Sequence, residues 1–307
     1  MKTVTIEEVV KRFKMEVLIG TDQLDRILKK TKVRRPGLEF MDKFDFIATE
    51  HVQILGKNEI NYLHTLSDEE CKIRIANIVQ YEPPCIVITS NQEEPLGLRQ
   101  YCTEEHIPVL RTKDSTSEMS AKLDAYVTKA MAPEIAVHGV CVNVAGIGIL
   151  LRGKSGVGKS ETAHTLIGRG HRLIADDIVV LKKLSPQTLL GTHNEKNKEF
   201  LALRSIGLLN VVRLYGRAAF QEESRIALDI ELTEWQDNAL NNELELDTKY
   251  KTYMDVQIPH IQIQLQPGRD VAGLIEAAAN NWYLMQQGYS AVEEFMKRLE
   301  PEFNESE

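Results

Sequence analysis

The sequence predicts an α/β protein built from two domains. Its 307 residues are enough for two domains of ordinary size, and 43% hydrophobic with 6% aromatic residues is typical of a folded chain. In the first third, short apolar runs alternate with helix-like patterns, which indicates a layered α/β domain. Proline and small residues follow a helical pattern at 131–134, and a new pattern begins beyond them. We therefore expect one α/β domain over 1–131 and a second over 132–307.

The first domain is expected to contain three buried strands and three amphipathic helices. Continuous apolar runs predict strands at 52–56, 83–89 and 107–112. Apolar residues that recur every three or four positions predict helices at 69–81, 95–105 and 117–131. This part contains no glycine-rich loop, metal-ligand cluster or nucleophile arrangement. We interpret it as a structural or regulatory module.

The second domain is expected to open with a β-hairpin and to close with two helices. Two β-rich runs, 140–144 and 147–151, are joined by Ala145-Gly146, a pair suited to a tight turn. Further strands are predicted at 173–175, 178–181, 188–191, 208–212, 225–232 and 261–265. Helices are predicted at 161–168, from 271 past 285, and at 290–299. The polar stretch 236–250 is interpreted as an exposed, mobile loop.

Composition and charge exclude several classes of protein. The 37 basic residues are outnumbered by 45 acidic ones, and a net charge of −8 leaves no general basic face for nucleic acid. No run of about 18 apolar residues is present, so we expect no membrane span. The first residues lack the apolar stretch of a secretory signal, which favours the cytoplasm. The four cysteines form no C-x-x-C pair, and we expect buried thiols.

A glycine-rich octapeptide lies between the hairpin and the helix at 161. It consists of Gly153, Lys154, Ser155, Gly156, Val157, Gly158, Lys159 and Ser160. Glycines let backbone amides turn inward around an anion, a lysine adds a mobile positive charge, and a serine hydroxyl can bind Mg²⁺. With a strand before it and a helix after it, the octapeptide predicts a phosphate-binding loop for a nucleoside triphosphate.

Other charged residues could complete a site for phosphoryl transfer. Asp176 and Asp177 follow an apolar run one helix beyond the loop, where a carboxylate can lie near the metal or the nucleophile. Adjacent strand residues point to opposite faces, so at least one aspartate should face the cleft; a solvated turn is the alternative. The arginines that could bind the transferred phosphate are Arg204, Arg213, Arg217, Arg225 and Arg269. Surface charge is the alternative for any one of them.

Five motifs, in this order, resemble the bacterial HPr kinase/phosphorylase family. They are His138-Gly139, the octapeptide followed by Glu161, the run from Arg169 to Asp177, Arg204 with 207–210, and 267–269. The likeness continues in the first domain through 55–59, Pro83-Pro84 and Ile107-Pro108. It therefore covers the whole chain.

The resemblance implies a specific activity. Members of this family transfer phosphate from ATP to a serine of HPr, the phosphocarrier of the sugar phosphotransferase system. They also remove it with inorganic phosphate as attacker, releasing pyrophosphate, in carbon catabolite regulation. They are homohexamers whose C-terminal domain carries catalysis and resembles the nucleotide-binding core of phosphoenolpyruvate carboxykinase. For 132–307 the resemblance thus implies a P-loop kinase domain that uses ATP and Mg²⁺.

The resemblance also assigns roles to residues of this chain. It makes Asp177 the base that takes the serine proton during phosphorylation and the acid that returns it in the reverse reaction. The other residues expected at the site are His138, Lys159, Arg204 and Arg269 for catalysis, and Ser160 and Asp176 for magnesium. A lone histidine is more often a packing residue, so the role of His138 depends on the resemblance.

Two departures from the family pattern affect charge at the site. The family has a magnesium-binding glutamate two residues before the arginine matched by Arg204, where this chain has Ala202. It also has a catalytic arginine after a tryptophan matched by Trp235. In this chain 236–268 contains no arginine, and Glu243 lies roughly at that place. Two smaller departures replace a glycine by a serine at 205 and an asparagine by an aspartate at 270.

Three functions stay open from the sequence. The chain is an active or weakened HPr kinase/phosphorylase, or it is a regulatory paralogue that binds ATP and HPr, or joins hexamers with an active subunit, and turns over slowly. A third interpretation is a P-loop enzyme that acts on a small metabolite.

Overall fold

The computed structural model describes residues 3–28, 33–36, 50–234, 249–266 and 268–303. It is an α/β protein that divides into two compact units, Met1–Ala132 and Pro133–Glu307. Each unit has its own hydrophobic core.

The first unit is a layered α/β domain. Its elements in chain order are β1 (Val4–Thr5), α1 (Ile6–Phe13), β2 (Glu16–Ile19), β3 (Ile27–Leu28), β4 (Val33–Arg34), β5 (Val52–Leu55), α2 (Lys57–Thr65), α3 (Asp68–Val79), β6 (Ile86–Ile88), α4 (Leu98–Glu104), β7 (Val109–Arg111) and α5 (Thr116–Met131). One sheet has the order β2-β7-β6-β5-β4, in which β4 to β7 are parallel and β2 is antiparallel. Apolar layers cover both faces of this sheet, which explains its continuous apolar strands.

Local capping explains where three helices of this unit begin. Thr5, Ser67 and Ser115 each accept a hydrogen bond from the amide three residues later, and the glutamate at that position bonds back. All six elements predicted for this domain are present, with ends that shift by at most three residues. Helices α1 and α2 and strand β2 were not predicted, because their short apolar patterns do not stand out.

The second unit contains the glycine-rich loop. Its elements in chain order are β8 (Glu134–His138), β9 (Val140–Val144), β10 (Ile147–Gly153), α6 (Lys159–Gly168), β11 (Arg172–Ala175), β12 (Ile178–Ser185), β13 (Thr188–His193), β14 (Phe200–Leu203), β15 (Gly207–Asn210), α7 (Val211–Tyr215), β16 (Glu223–Glu234), β17 (Lys249–Tyr253), β18 (Val256–Leu265), α8 (Val271–Gln286) and α9 (Ala291–Phe303). The sheet order is β11-β9-β10-β16-β13-β12-β8, with β18 beside β16 and β17 beside β18. β14 and β15 form a separate hairpin.

Helices α6 and α8 pack on one face of this sheet. Their buried residues, such as Leu166 and Ile275, share a core with Ile149 and Leu151 of β10. Leu150 points to the opposite face and packs in a second cluster with residues of β12, β17 and β18. The alternation along β10 therefore places one apolar layer behind the loop helix and another beneath the sheet.

Two sequence predictions in this unit are wrong. A strand was predicted over 208–212, but β15 ends at Asn210, whose side chain caps α7 by accepting from the Arg213 amide. The mobile loop was predicted to run to 250, but Lys249 and Tyr250 begin β17, which pairs with β18. The left-handed residues Met254 and Asp255 form the two-residue turn of that hairpin. The rest of the predicted loop, 236–248, lies outside the described residues.

The burial of the cysteines and the polarity of the helices agree with the predictions made from composition. All four cysteines are buried and free, as predicted, and burial raises the pKa of Cys85 to about 12. In the part of the chain that the structure describes, no helix has the length and apolarity to cross a bilayer.

Candidate functional site

The sheet topology brings the predicted site residues to one edge. β10, β16 and β18 are mutually parallel, and β11 runs in the same direction because both β10 and β11 are antiparallel to β9. The carboxyl ends of these four strands therefore meet at the same edge. Ligands of open α/β sheets bind at such an edge. The glycine-rich loop follows β10 there, and the paired aspartates follow β11.

The glycine-rich loop has a backbone that only glycine adopts easily. Gly153, Gly156 and Gly158 have φ angles of 141°, 81° and 105°. The Nζ of Lys159 donates to the carbonyls of Gly153 and Lys154, each at 3.0 Å. The loop ends at the first turn of α6, whose free amides favour a negative ligand. The loop thus combines a backbone that requires glycine with the positive charge of Lys159 and the first amides of α6.

Arg204 lies against this loop although the two are far apart in sequence. It occupies the turn between β14 and β15, and a Cβ on Gly156 would overlap its guanidinium. Gly156 therefore provides close approach as well as its left-handed backbone. Among the described residues, the Arg204 guanidinium makes no ion pair, so its donors are available to an anion.

Ser205, beside Arg204, has a left-handed backbone with φ of 68°. This conformation suits the glycine that the resemblance implies at this position. We expect Ser205→Gly to raise the free energy of unfolding by roughly 0.5–1 kcal/mol, because the left-handed penalty is partly offset by the entropy of glycine in the unfolded chain. Thermal and urea unfolding would measure the change. Ser205→Ala is the matched control, and an equal gain from alanine would contradict the explanation.

Asp176 is buried directly behind the loop. Its Oδ1 accepts a hydrogen bond of 2.8 Å from the Ser160 hydroxyl, and its Oδ2 accepts one of 2.9 Å from the Ala202 amide. Burial raises the pKa of Asp176 above its ordinary value, while these two hydrogen bonds act in the opposite direction. The carboxylate therefore orients the Ser160 hydroxyl in the first turn of α6.

Asp177 has the opposite environment to its neighbour. Its side chain is 68% exposed, and its backbone is left-handed with φ of 65°. The Ile178 amide donates to the Asp176 carbonyl at 2.8 Å, which closes a tight turn around Asp177. The His138 Nδ1 lies 3.7 Å from an Asp177 oxygen. Strained backbone concentrates at functional sites, and here it presents one carboxylate beside one imidazole.

The remaining candidate arginines differ in their surroundings. Arg269 lies in a turn in which its amide donates to Gln266 at 3.1 Å and Gly268 has φ of 82°. Within the described residues its side chain makes no ion pair. Asp270 caps α8 and accepts two hydrogen bonds of 2.9 Å from Arg169. The family asparagine at this position is thus replaced by a residue with a structural charge.

Arg217 is engaged in ion pairs. It contacts Glu199 at 2.9 Å and Glu222 at 2.8 Å. Lys198 and His193 also contact Glu222, and hydrogen bonding to Lys198 lowers the pKa of that carboxylate to about 2. Arg217 is therefore already neutralised and is a poor candidate for binding phosphate.

Of the two departures expected to alter charge at the site, only Ala202 lies within the described residues. Ala202 is exposed on β14, and its amide donates a hydrogen bond to Asp176. The position at which the resemblance implies a magnesium-binding glutamate thus carries no carboxylate, and the described residues hold no group of three or more His, Cys, Asp or Glu side chains that could bind a metal ion. Trp235 and Glu243 lie outside the described residues.

A cavity of about 470 Å³ lies away from this edge. It is lined by the Ala145-Gly146 turn and by Asn143, His171 and Arg172, among others. None of the predicted site residues lines it. The glycine-rich loop, the paired aspartates and the left-handed backbone of Asp177 all lie at the carboxyl edge, so we place the candidate site there and not at this cavity.

The family comparisons agree across both units. The model described as HPr Serine kinase N terminus matches residues 4–127, and the model described as HPr Serine kinase C-terminal domain matches residues 129–299. This chain belongs to the HPr serine kinase family.

Relatives align over nearly the full length of the chain. The "Putative HPr kinase/phosphorylase 2" of Oceanobacillus iheyensis is 63% identical over 98% of each chain. The HPr kinase/phosphorylase of Bacillus cytotoxicus is 36% identical over 97% of each. A solved structure, the Hpr(Ser) kinase/phosphatase from Coxiella burnetii, covers 52% of this chain and 98% of its own at 28% identity, with a TM-score of 0.46. The resemblance seen in five motifs therefore extends to both units.

Proposed function

We propose that this chain uses ATP to phosphorylate a serine of HPr, and that the same site removes the phosphate with inorganic phosphate, releasing pyrophosphate. The position of Asp177 carries the proposal. This carboxylate is exposed in a strained turn, and the preceding residue, Asp176, binds Ser160 of the loop. A hydroxyl on a protein surface can reach Asp177 beside the place where a triphosphate would bind. The names of relatives in the family support HPr as the protein substrate.

The loop would hold the nucleotide. Lys159 would exchange its bonds to the loop carbonyls for bonds to phosphate oxygens, and the amides at the start of α6 would bind the same group. Mg²⁺ fits the hydroxyl and carboxylate oxygens of Ser160 and Asp176. Each Asp176 oxygen accepts one hydrogen bond and keeps a further lone pair, so Ser160 and Asp176 together would hold the ion. When bound, the ion would neutralise charge on the phosphates.

Asp177 would move the proton in both directions. In phosphorylation it accepts the serine proton while the serine oxygen bonds to the γ-phosphorus, and the bond to the bridging oxygen of ADP breaks. In the dephosphorylation an oxygen of inorganic phosphate bonds to the phosphoserine phosphorus and its proton passes to Asp177. The bond to the serine oxygen breaks, Asp177 donates the proton to that oxygen, and pyrophosphate leaves. His138 adjoins Asp177, and Arg204 supplies positive charge at the loop.

Label transfer tests the forward reaction. Purified protein, Mg²⁺ and γ-labelled ATP are incubated with HPr, and in parallel with HPr whose acceptor serine is replaced by alanine. We expect label on the serine-containing protein alone. Equal labelling of the two HPr forms would contradict the proposal, and no labelling with intact ATP binding would favour the second candidate below. Labelling of small metabolites instead would support a P-loop enzyme of another kind.

The exposed Ala202 favours a second candidate, a regulatory paralogue that binds ATP and HPr but turns over slowly. Loss of a carboxylate from the metal site weakens the hold on a hard cation. The absence of arginine from 236–268 removes a further positive charge expected near the transferred phosphate. Losses of this kind reduce rates by about three orders of magnitude. ATP binding is preserved in this candidate because the loop is complete.

Restoring the family residues tests this second candidate. We expect Ala202→Glu combined with Glu243→Arg to raise turnover at least tenfold, roughly the effect of one charged contact in the transition state. Ala202→Gln with Glu243→Arg is the matched control, since glutamine has the same size without the charge. Steady-state rates in Mg²⁺ and in Mn²⁺ measure the effect. Equal rates for the two double variants would refute the metal explanation.

Further properties implied by the resemblance belong to the same proposal. We propose a cytoplasmic homohexamer in which 132–307 has the P-loop kinase fold of the phosphoenolpyruvate carboxykinase core and 1–131 is structural or regulatory. Light scattering after size-exclusion chromatography measures the mass of the assembly. A monomer at micromolar concentration would contradict the hexamer alone.

A further inference from the structure

A fully buried carboxylate lies beneath the sheet just before the glycine-rich loop. Asp229 of β16 has no exposed surface, and its two oxygens contact three side chains from three other strands. The Arg152 Nε and Nη2 each donate to it at 2.6 Å, the Tyr253 hydroxyl donates at 2.6 Å, and the His260 Nδ1 lies at 2.7 Å. We call these four residues the Asp229 cluster. None of them was assigned to the site from the sequence.

Two residues of the cluster, Arg152 and His260, lie on the strands that meet the two ends of the loop. Arg152 precedes Gly153, whose carbonyl accepts a hydrogen bond from Lys159. A Cβ added to Gly153 would overlap the Leu232 carbonyl of β16. The start of the loop is therefore fixed against β16 by a side chain on one residue and by backbone contact on the next. No shift of β10 along β16 is possible without breaking both.

The far end of the loop lies against β18, the strand whose His260 contacts Asp229. His260 pairs with Asp229 across the strands, in register with Leu150 of β10. Five residues later, Leu265 of β18 approaches the Cβ position of Gly158 to 3.9 Å. One carboxylate thus sets the register of the strand that enters the loop and of the strand that packs against its end.

Holding a sheet together with a buried ion pair carries a large desolvation free energy. Burying an ion pair sacrifices hydration, and apolar residues of equal volume often stabilise a fold as well or better. Burial acts to raise the pKa of Asp229, but its hydrogen bonds and the Arg152 charge lower that pKa below its ordinary value. The carboxylate is therefore charged at neutral pH. Planar, two-point pairing with Arg152 offers geometry that apolar packing does not.

We propose that the Asp229 cluster positions the glycine-rich loop for the nucleotide, with Asp229 and Arg152 as positioning residues. The inference rests on the proposed binding of ATP at this loop. A role limited to sheet stability predicts loss of stability alone, whereas positioning predicts loss of nucleotide affinity in protein that is still folded.

The test compares two carboxylate variants in the full chain. Asp229→Asn retains the size of the side chain and removes its charge; Glu222→Gln does the same in the ion-pair group around Arg217, which is outside the nucleotide site. Thermal midpoints are measured first, and Mg²⁺–ATP is then titrated by calorimetry about 20 °C below the midpoint of each variant. We expect the dissociation constant to rise at least tenfold in Asp229→Asn and less than twofold in Glu222→Gln.

Milder variants keep the test decisive if Asp229→Asn does not fold. Tyr253→Phe and His260→Gln each remove one contact, and we expect a three- to tenfold rise in the ATP dissociation constant from each. Arg152→Lys, which retains the charge and loses the fork, should bind ATP more weakly than the wild type. Affinities within twofold of the wild type in the folded variants would overturn the inference alone. A wild-type protein that does not bind ATP would overturn the proposed function and this inference together.

Discussion

Replacing Asp177 by asparagine is expected to lower the rate of HPr serine phosphorylation by roughly 10²- to 10⁴-fold, the usual contribution of a general base. The amide cannot take the serine proton. The fold should be kept, because asparagine adopts the left-handed backbone that Asp177 has here more readily than most residues. Affinity for Mg²⁺–ATP should change by less than about threefold, since the exposed Asp177 side chain is not part of the loop. Initial rates at saturating HPr measure the effect.

A matched exposed aspartate controls for charge. Asp255 lies in the turn of the β17–β18 hairpin and also has a left-handed backbone, with φ of 64°. Asp255→Asn should leave the rate within twofold of the wild type. If Asp177→Asn turned over as fast as Asp255→Asn, Asp177 would not be the base and the proposed chemistry would be wrong.

Replacing Lys159 by alanine should have the largest effect on nucleotide binding. We expect the ATP dissociation constant to rise about 10- to 100-fold, because a charged hydrogen-bonding group contributes about 1.5–3 kcal/mol. The lysine bridges two loop carbonyls, so its loss also removes two contacts within the loop. Calorimetric titration with Mg²⁺–ATP gives the constant directly.

The control for this variant is a lysine outside the site. Lys196 is exposed in the segment before β14, and Lys196→Ala carries the same loss of charge. It should bind ATP within twofold of the wild type. A similar loss in both lysine variants would show that net charge, and not the loop contact, governs binding.

The sequence predicted the loop and its supporting elements because their signals are local. The β9–β10 hairpin and α6 were each recognisable from consecutive apolar residues, glycines and helical spacing, and the structure confirms them. The site assignments themselves remain a prediction that the variants above can test.

The parts that escaped prediction depend on contacts between distant segments. Arg204 approaches Gly156 across 48 residues, and Arg152 meets Asp229 across 77. Local spacing carries no information on such distances. Asp229 did leave a trace, as a charged residue inside an apolar strand, but a pattern alone does not separate a buried ion pair from an edge position. The different environments of Asp176 and Asp177 also depend on the turn geometry, because the residue pattern alone allows either aspartate to face the cleft.

The reverse reaction tests the central claim most directly, because a single site must run in both directions. Serine-phosphorylated HPr is incubated with the protein, Mg²⁺ and inorganic phosphate, and pyrophosphate is measured by ³¹P NMR, with Asp177→Asn in parallel. The proposal predicts one pyrophosphate per serine dephosphorylated in the wild type and a loss in Asp177→Asn that matches its loss in the forward reaction. Dephosphorylation without pyrophosphate, or a variant impaired in one direction only, would contradict it.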